Sequence, residues 1–233
     1  MEARVAVAKV RKYATPESGD TLEMIERPSG GLSVVLADGQ MSGKPAKAIA
    51  NIVVRKAISL LADGVRDGAA ARAASDYLYT QRSGKVVATL NILSLDLLSQ
   101  SLVITRNNPA PVVLIQDGVV SLLDGPTDPV GGRRGVRPEI HQFPLAVGLT
   151  AVVFTDGLVH AGERSGHPVD PVAEAHALAA TGPADPDTWA DTLLRRALEA
   201  EDGRPSDDIS ILVAAILPRE GEEVRRLAVR MPL

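Results

Sequence analysis

The stretch GLSVVLADGQMSGKPAKAIANIVVRKAISLL, residues 31–61, decides how the rest of the chain is arranged. Ser33 to Ala37 is a short, mostly apolar run with two β-branched residues, Val34 and Val35, which suits a strand covered on both faces. Asp38 and Gly39 place a carboxylate and a flexible backbone at the end of that strand. Gly43 to Pro45 open a helix, and Pro45 is tolerated because the N–H groups of a first turn have no intrahelical partner. Ala46, Ile49, Ala50, Val53, Ala57, Leu60 and Leu61 recur at helical spacing and form one apolar stripe.

Upstream, Val5 to Val10 alternates weakly and reads as a first strand; Tyr13 to Asp20 is a loop, and Thr21 to Glu26 a second strand. Downstream, Gly64 stops the helix, and Asp67 is the expected N-cap of another that runs to Gln81. Ala69, Ala73, Tyr77 and Thr80 are expected along its packed face, with Gly84 after it. A block of strands follows: Val86–Asp96, Ser101–Asn107 and Val112–Gln116, the last joined to VVSLL by a two-residue Asp117-Gly118 hairpin turn. Gly125 to Pro138, carrying Arg133, Arg134 and Arg137, reads as an exposed loop. Glu139–Pro144 and Leu149–Thr155 are further strands. Asp170-Pro171 and Asp185-Pro186 each start a helix, the second with Trp189, Leu193 and Ala197 on one face. Ile209–Leu217 is a continuous apolar strand, and Glu222–Val229 is expected as a last edge strand.

Strands in consecutive runs favour antiparallel pairing over alternating βαβ units. Two helix pairs separated by a long β block predict an α+β fold. Its form is a four-layer αββα sandwich of two mainly antiparallel sheets, each flanked by a helix pair. No boundary divides the chain, so a single domain over 1–233 is expected.

The 233 residues suffice for a sizeable core, and a 45% hydrophobic content is ordinary for a globular chain. A net charge of -4 without blocks of like charge gives no nucleic-acid footprint. Cysteine is absent, which excludes a disulfide framework, a thiolate metal site and a thiol nucleophile. The start, MEARVAVAKVRKYATP, lacks the apolar core of a signal peptide, and the longest uncharged apolar stretch, Phe143–Thr155, is too short to span a membrane. A cytoplasmic protein with no membrane partner is therefore expected.

Asp-Gly occurs at Asp38, Asp63, Asp67, Asp117, Asp124, Asp156 and Asp202, and turns account for most of these. Asp38 and Asp156 differ, because each ends an apolar run, SVVLA or AVVFT. Asp207 and Asp208 immediately precede the strand ISILVAAI, and Asp20 closes a loop just before a strand. If those strands are neighbours, the carboxylates meet at one rim. Such a cluster, without cysteine or histidine pairs at zinc spacing, suits hard divalent cations. Two of them about 3.5–4 Å apart can activate a water for in-line displacement at phosphorus.

These steps resemble the metal-dependent PPM (type 2C) protein phosphatases, in their bacterial SpoIIE-like branch. Gly19-Asp20 is similar to that family's GD step. Ala37-Asp38-Gly39, then Ser42-Gly43-Lys44-Pro45-Ala46, resembles its ADGMGxGxxA turn into a helix. Thr155-Asp156-Gly157 resembles its TDG step, and Asp207-Asp208 its final DD or DN step. The resemblance implies two Mn²⁺ or Mg²⁺ ions. Asp38 would bridge them, the Gly39 carbonyl would bind one, Asp20 would hold the second, and Asp156 and Asp207 would complete the first. Asp208 ranks after Asp207. Asp38 and Asp156 are the catalytic candidates. The implied substrate is a phosphoserine or phosphothreonine on a protein, such as an anti-sigma-factor antagonist. The chain departs from the family at Met41, where a second glycine is usual, at Asn107-Asn108 in the AGH-P-like stretch Arg106–Pro109, and at His160, where an acidic residue is usual.

Other signals weigh less. Gly39–Pro45 fails as a P-loop, because the glycine spacing is short and Pro45 replaces the Ser or Thr. Ser42 reads as a cap or turn residue, and Trp189 as packing. Two alternatives stand beside an active protein phosphatase: a phosphatase-fold regulatory module with impaired turnover, favoured by Met41 and Asn107-Asn108, and a small-molecule phosphohydrolase.

Overall fold

In β3 (Leu32–Gly39) the side chains divide by alternation. Val35 and Ala37 pack against Ile49, Ala50, Val53 and Ala57 of α1 (Gly43–Ala62), while Val34 and Leu36 face the opposite way into a second apolar layer. That layer includes Leu212, Ala214 and Ile216 of β10 (Ile209–Leu217). On β10, Ile209, Ile211 and Val213 turn outward to Trp189, Leu193 and Ala197 of α5 (Pro186–Ala200). Both strands are thus buried on both faces, as their unbroken apolar runs require. Each fully buried Val or Leu contributes about 1.5–3 kcal/mol, and three stacked layers of them hold the molecule together.

The computed structural model describes residues 1–219, 221 and 223–231. The other elements are β1 (Glu2–Val10), β2 (Thr21–Glu26), α2 (Asp67–Arg82), β4 (Ala88–Asp96), β5 (Ser101–Asn107), β6 (Val112–Gln116), β7 (Val119–Leu123), β8 (Glu139–Pro144), β9 (Thr150–Phe154), α3 (Asp156–Val159) and α4 (Pro171–Ala179). One sheet has the order β1-β10-β9-β6-β7 and the other β2-β3-β4-β5-β8, with every pairing antiparallel. With α1 and α2 on one outer face and α4 and α5 on the other, the architecture is the four-layer αββα sandwich expected. The Asp117-Gly118 turn has positive φ at both residues, as a tight hairpin turn requires. Asp170 and Asp185 cap α4 and α5, each followed by a proline.

Arg106 is the largest fully buried side chain, 0% exposed. Its guanidinium donates to Glu139 Oε2, to the carbonyls of Asn108 and Ala110, and to that of Gly125, so it ties together the chain between β5 and β8.

Four local expectations are corrected. Asp67 is not the N-cap of α2; Arg66 holds that place, and the Asp67 carboxylate turns inward to Arg27, 2.7 Å away. The buried face of α2 therefore follows Asp67 to Ala71, Ala74 and Leu78, with Ala70, and leaves Tyr77 exposed. The segment 125–138 is not wholly exposed: Val130 and Val136 are buried, and Val130 exchanges two backbone hydrogen bonds with Ala88. Residues 223–229 form no strand, and Glu222 lies outside the described residues.

Candidate metal centre

The rim is assembled by strand ends. In an antiparallel sheet the end of β3 lies beside the start of β2, and the start of β10 lies between the ends of β9 and β1. Asp38 at the end of β3, Asp20 just before β2, Asp156 just after β9, and Asp207-Asp208 just before β10 are therefore carried to the same end of the sandwich. Two glycines permit the close fit. A Cβ on Gly39 would run into the Ala46 carbonyl in the first turns of α1, and one on Gly157 into the Asp208 carbonyl. The second approach seats α3 against β10 and brings Asp156 to Asp207.

Asp20 is completely buried and joins the two sheets. Its main chain leads into β2, while its Oδ2 accepts hydrogen bonds from Ser210 Oγ at 2.6 Å and Thr155 Oγ1 at 3.1 Å, both in the facing sheet region. Its Oδ1 is buried with no hydrogen-bond partner in the protein. Its carbonyl receives two ammonium groups, Lys9 Nζ at 2.5 Å and Lys47 Nζ at 2.6 Å.

Electrostatics show the crowding. The Asp38 carboxyl is pushed up to about 9, first by burial and then by the charges of Asp20, Asp156 and Asp207. Burial also raises Asp20 and Asp156, the latter further through Asp207. The Lys9 ammonium is pushed down to about 8, first by burial and then by Lys47. His160 is exposed and raised chiefly by its hydrogen bond with Glu163, at 2.9 Å.

Asp208 sits differently from the others. Its Oδ1 accepts from the Lys12 N–H and its Oδ2 from the Gly19 N–H, each at 2.8 Å, so the carboxylate is engaged in holding the loop that ends at Asp20. Asn107 and Asn108 are buried structural residues. Asn108 donates to the Phe154 carbonyl and accepts from the Ala110 N–H, and Asn107 donates to the Asp128 carbonyl. Met41 lies on the turn after Gly39, 61% exposed, at φ +86.

The donor set fits a pair of hard divalent cations: oxygen ligands alone, an unsatisfied buried carboxylate oxygen on Asp20, and carboxyls that repel one another. Among the described residues no three histidine, aspartate or glutamate side chains form a ready-made metal-holding group.

A family model described as Stage II sporulation protein E (SpoIIE) matches residues 28–217. The chain belongs to the SpoIIE family. That span contains Asp38, Asp156, Asp207 and Asp208 and begins after Asp20. No curated protein sequence matches this SpoIIE-family chain. Among solved structures it is similar to the PP2C phosphatase domain of Bacillus subtilis SpoIIE with a fragment of its regulatory domain. The TM-score is 0.80 at 19% identity, over 93% of this chain and 64% of that one, slightly under two thirds. The RsbU and RsbW domains of a Mycobacterium tuberculosis protein give 0.75 at 21% identity, over 92% and 60%. The catalytic domain of the phosphatase PstP in complex with two manganese ions gives 0.70 at 19%, over 93% and 99%. The shared fold is that of the PP2C phosphatases.

Lys9, Lys47, Thr155 and Ser210 were not foreseen as neighbours of Asp20. A faint signal exists for Ser210, a hydroxyl inside the apolar run ISILVAAI. The lysines give none, since their meeting point is a backbone carbonyl.

Proposed function

We propose that this chain is a metal-dependent phosphoprotein phosphatase that hydrolyses phosphoserine or phosphothreonine on a regulatory protein, such as an anti-sigma-factor antagonist. The observation that carries this reading is the convergence of Asp20, Asp38, Asp156 and Asp207 on one rim, where burial and mutual repulsion raise the Asp38 carboxyl to about 9. Two Mn²⁺ or Mg²⁺ ions, when bound, acidify a water and neutralise charge on phosphoryl oxygens. Asp38 feels the charges of Asp20, Asp156 and Asp207 together, which supports it as the ligand that the ions would share, with the Gly39 carbonyl beside it. Asp20 would hold one ion, and Asp156 and Asp207 the other. Asp38 and Asp156 would orient the attacking water by accepting its hydrogen bonds. Asp208 steadies the Asp20 loop in place of ligating. Likeness to the cell-fate determinant SpoIIE, and to an RsbU domain sharing its chain with an RsbW domain, supports a regulatory protein as substrate. The pairing of β1 with β10, which joins the beginning of the chain to its last strand, supports a single functional domain over 1–233.

The test is hydrolysis of a phosphoserine protein and of an aryl phosphate with Mn²⁺, Mg²⁺ or chelator, in wild type and Asp38→Ala. The expected outcome is metal-dependent turnover of the phosphoprotein that falls to background in the variant. Turnover of the aryl phosphate alone points to a small-molecule phosphohydrolase. A second reading, a phosphatase-fold regulatory module, is favoured by Met41 in the turn at φ +86, and it predicts Mn²⁺ binding without turnover. Asn107-Asn108 no longer favours that reading, because both side chains are occupied in structural hydrogen bonds.

A further inference from the structure

Lys9 and Lys47 come from different layers and meet at one atom. Lys9 lies on β1, on the face opposite Ala6 and Ala8, which pack outward toward α5; Lys47 stands in the first turns of α1. Both ammonium groups donate to the Asp20 carbonyl, and each has three N–H donors. Two positive charges are thus fixed beside Asp20. At the other half of the cluster, Asp156 and Asp207 feel the exposed ring of His160, which is itself tied to Glu163.

We propose that the Lys9–Lys47 pair weakens cation binding on the Asp20 side of the rim, so that the two halves of the carboxylate cluster load with unequal affinity. The proposal rests on the metal-dependent reading above. An incoming dication meets two fixed ammonium charges on one side, offset in part by the Asp208 carboxylate, and on the other the exposed His160 ring. In a partly buried setting a unit charge several ångströms away changes an ion's affinity by about tenfold or more. The lysines also pin the main chain at Asp20 while its carboxylate reaches Ser210 and Thr155. Removing one lysine leaves the other to hold that carbonyl, so the loss of charge is read without loss of the anchor.

The experiment is a calorimetric titration of the full chain with Mn²⁺ alone, in wild type, Lys47→Met and Lys47→Arg, with circular dichroism to confirm folding. Wild type is expected to bind in a stronger and a weaker step. Lys47→Met tightens the weaker step by about tenfold and leaves the stronger within about twofold; Lys47→Arg, which keeps the charge, behaves as wild type. Lys9→Met moves the weaker step in the same direction. Equal steps in wild type overturn the proposal, as does a weaker step that Lys47→Met leaves unchanged, loosens, or shifts only together with the stronger one. Absence of Mn²⁺ binding in wild type overturns the metal-dependent reading itself, a different result from binding that ignores the lysines.

Discussion

Met41 holds φ at +86, a region that side chains with a Cβ enter at a cost of about 1–2 kcal/mol. Met41→Gly is expected to stabilise the chain by about 1 kcal/mol, read as a melting temperature about 2–4 °C higher. Asp38 carries a pH dependence. Its folded value of about 9 lies above the ordinary 3.8, so between those values the folded chain binds more protons than the unfolded one, and stability falls as pH rises through that window. In chelator, Asp38→Asn should therefore melt higher than wild type at pH 8 and close to it at pH 4, with a flatter profile between. An unchanged slope in the variant contradicts this. Asp20, Asp38, Asp156 and Asp207 could be read toward one rim because each flanks a strand, Asp38 and Asp156 at the finish of one and Asp20 and Asp207 ahead of one. Asp208 was legible as a neighbour but not in its work, because the N–H groups of Lys12 and Gly19 that occupy it are set by a loop conformation no local pattern specifies.

The elements followed from periodicity where apolar faces were continuous, as in β3, α1, β10 and α5. They shifted where one polar contact decided. Arg27 draws Asp67 inward and rotates the buried stripe of α2 by a residue from the one its alanines favour. The segment around Val130 is buried because it bridges to Ala88 at the start of β4, a long-range pairing invisible in a Gly- and Arg-rich run. Two expectations belong to this scale. Asp170 accepts from the N–H groups of Val172 and Ala173 at the start of α4, so Asp170→Ala should cost about 1 kcal/mol in denaturant unfolding while Mn²⁺ affinity stays unchanged. Asp208→Ala frees two backbone N–H groups of the loop before β2 and should lower both stability and Mn²⁺ affinity. Asp208→Asn, which keeps one acceptor, should lie between. Equal loss of metal affinity in both variants would instead mark Asp208 as a direct ligand.

Across the whole molecule, the αββα layering was legible because long consecutive strand runs between two helix pairs leave few other ways to cover every apolar face. The buried Arg106 was not, since its partners, Glu139 and the carbonyls of Asn108, Ala110 and Gly125, come from separate connections. Arg106→Ala leaves Glu139 and those carbonyls without their donor, and should cost about 3–5 kcal/mol, visible as a sharply lower denaturation midpoint. Asp20 has a reach of the same order. It belongs to one sheet through its peptide bond to Thr21 and to the other through Ser210 and Thr155, so it stitches the two halves of the sandwich at their open edge. Any ion seated against it becomes a rivet through that seam: loading should slow amide exchange along β2 and β10 alike, strands that share no ladder, and make the rim the place where slippage of one sheet over the other is felt first.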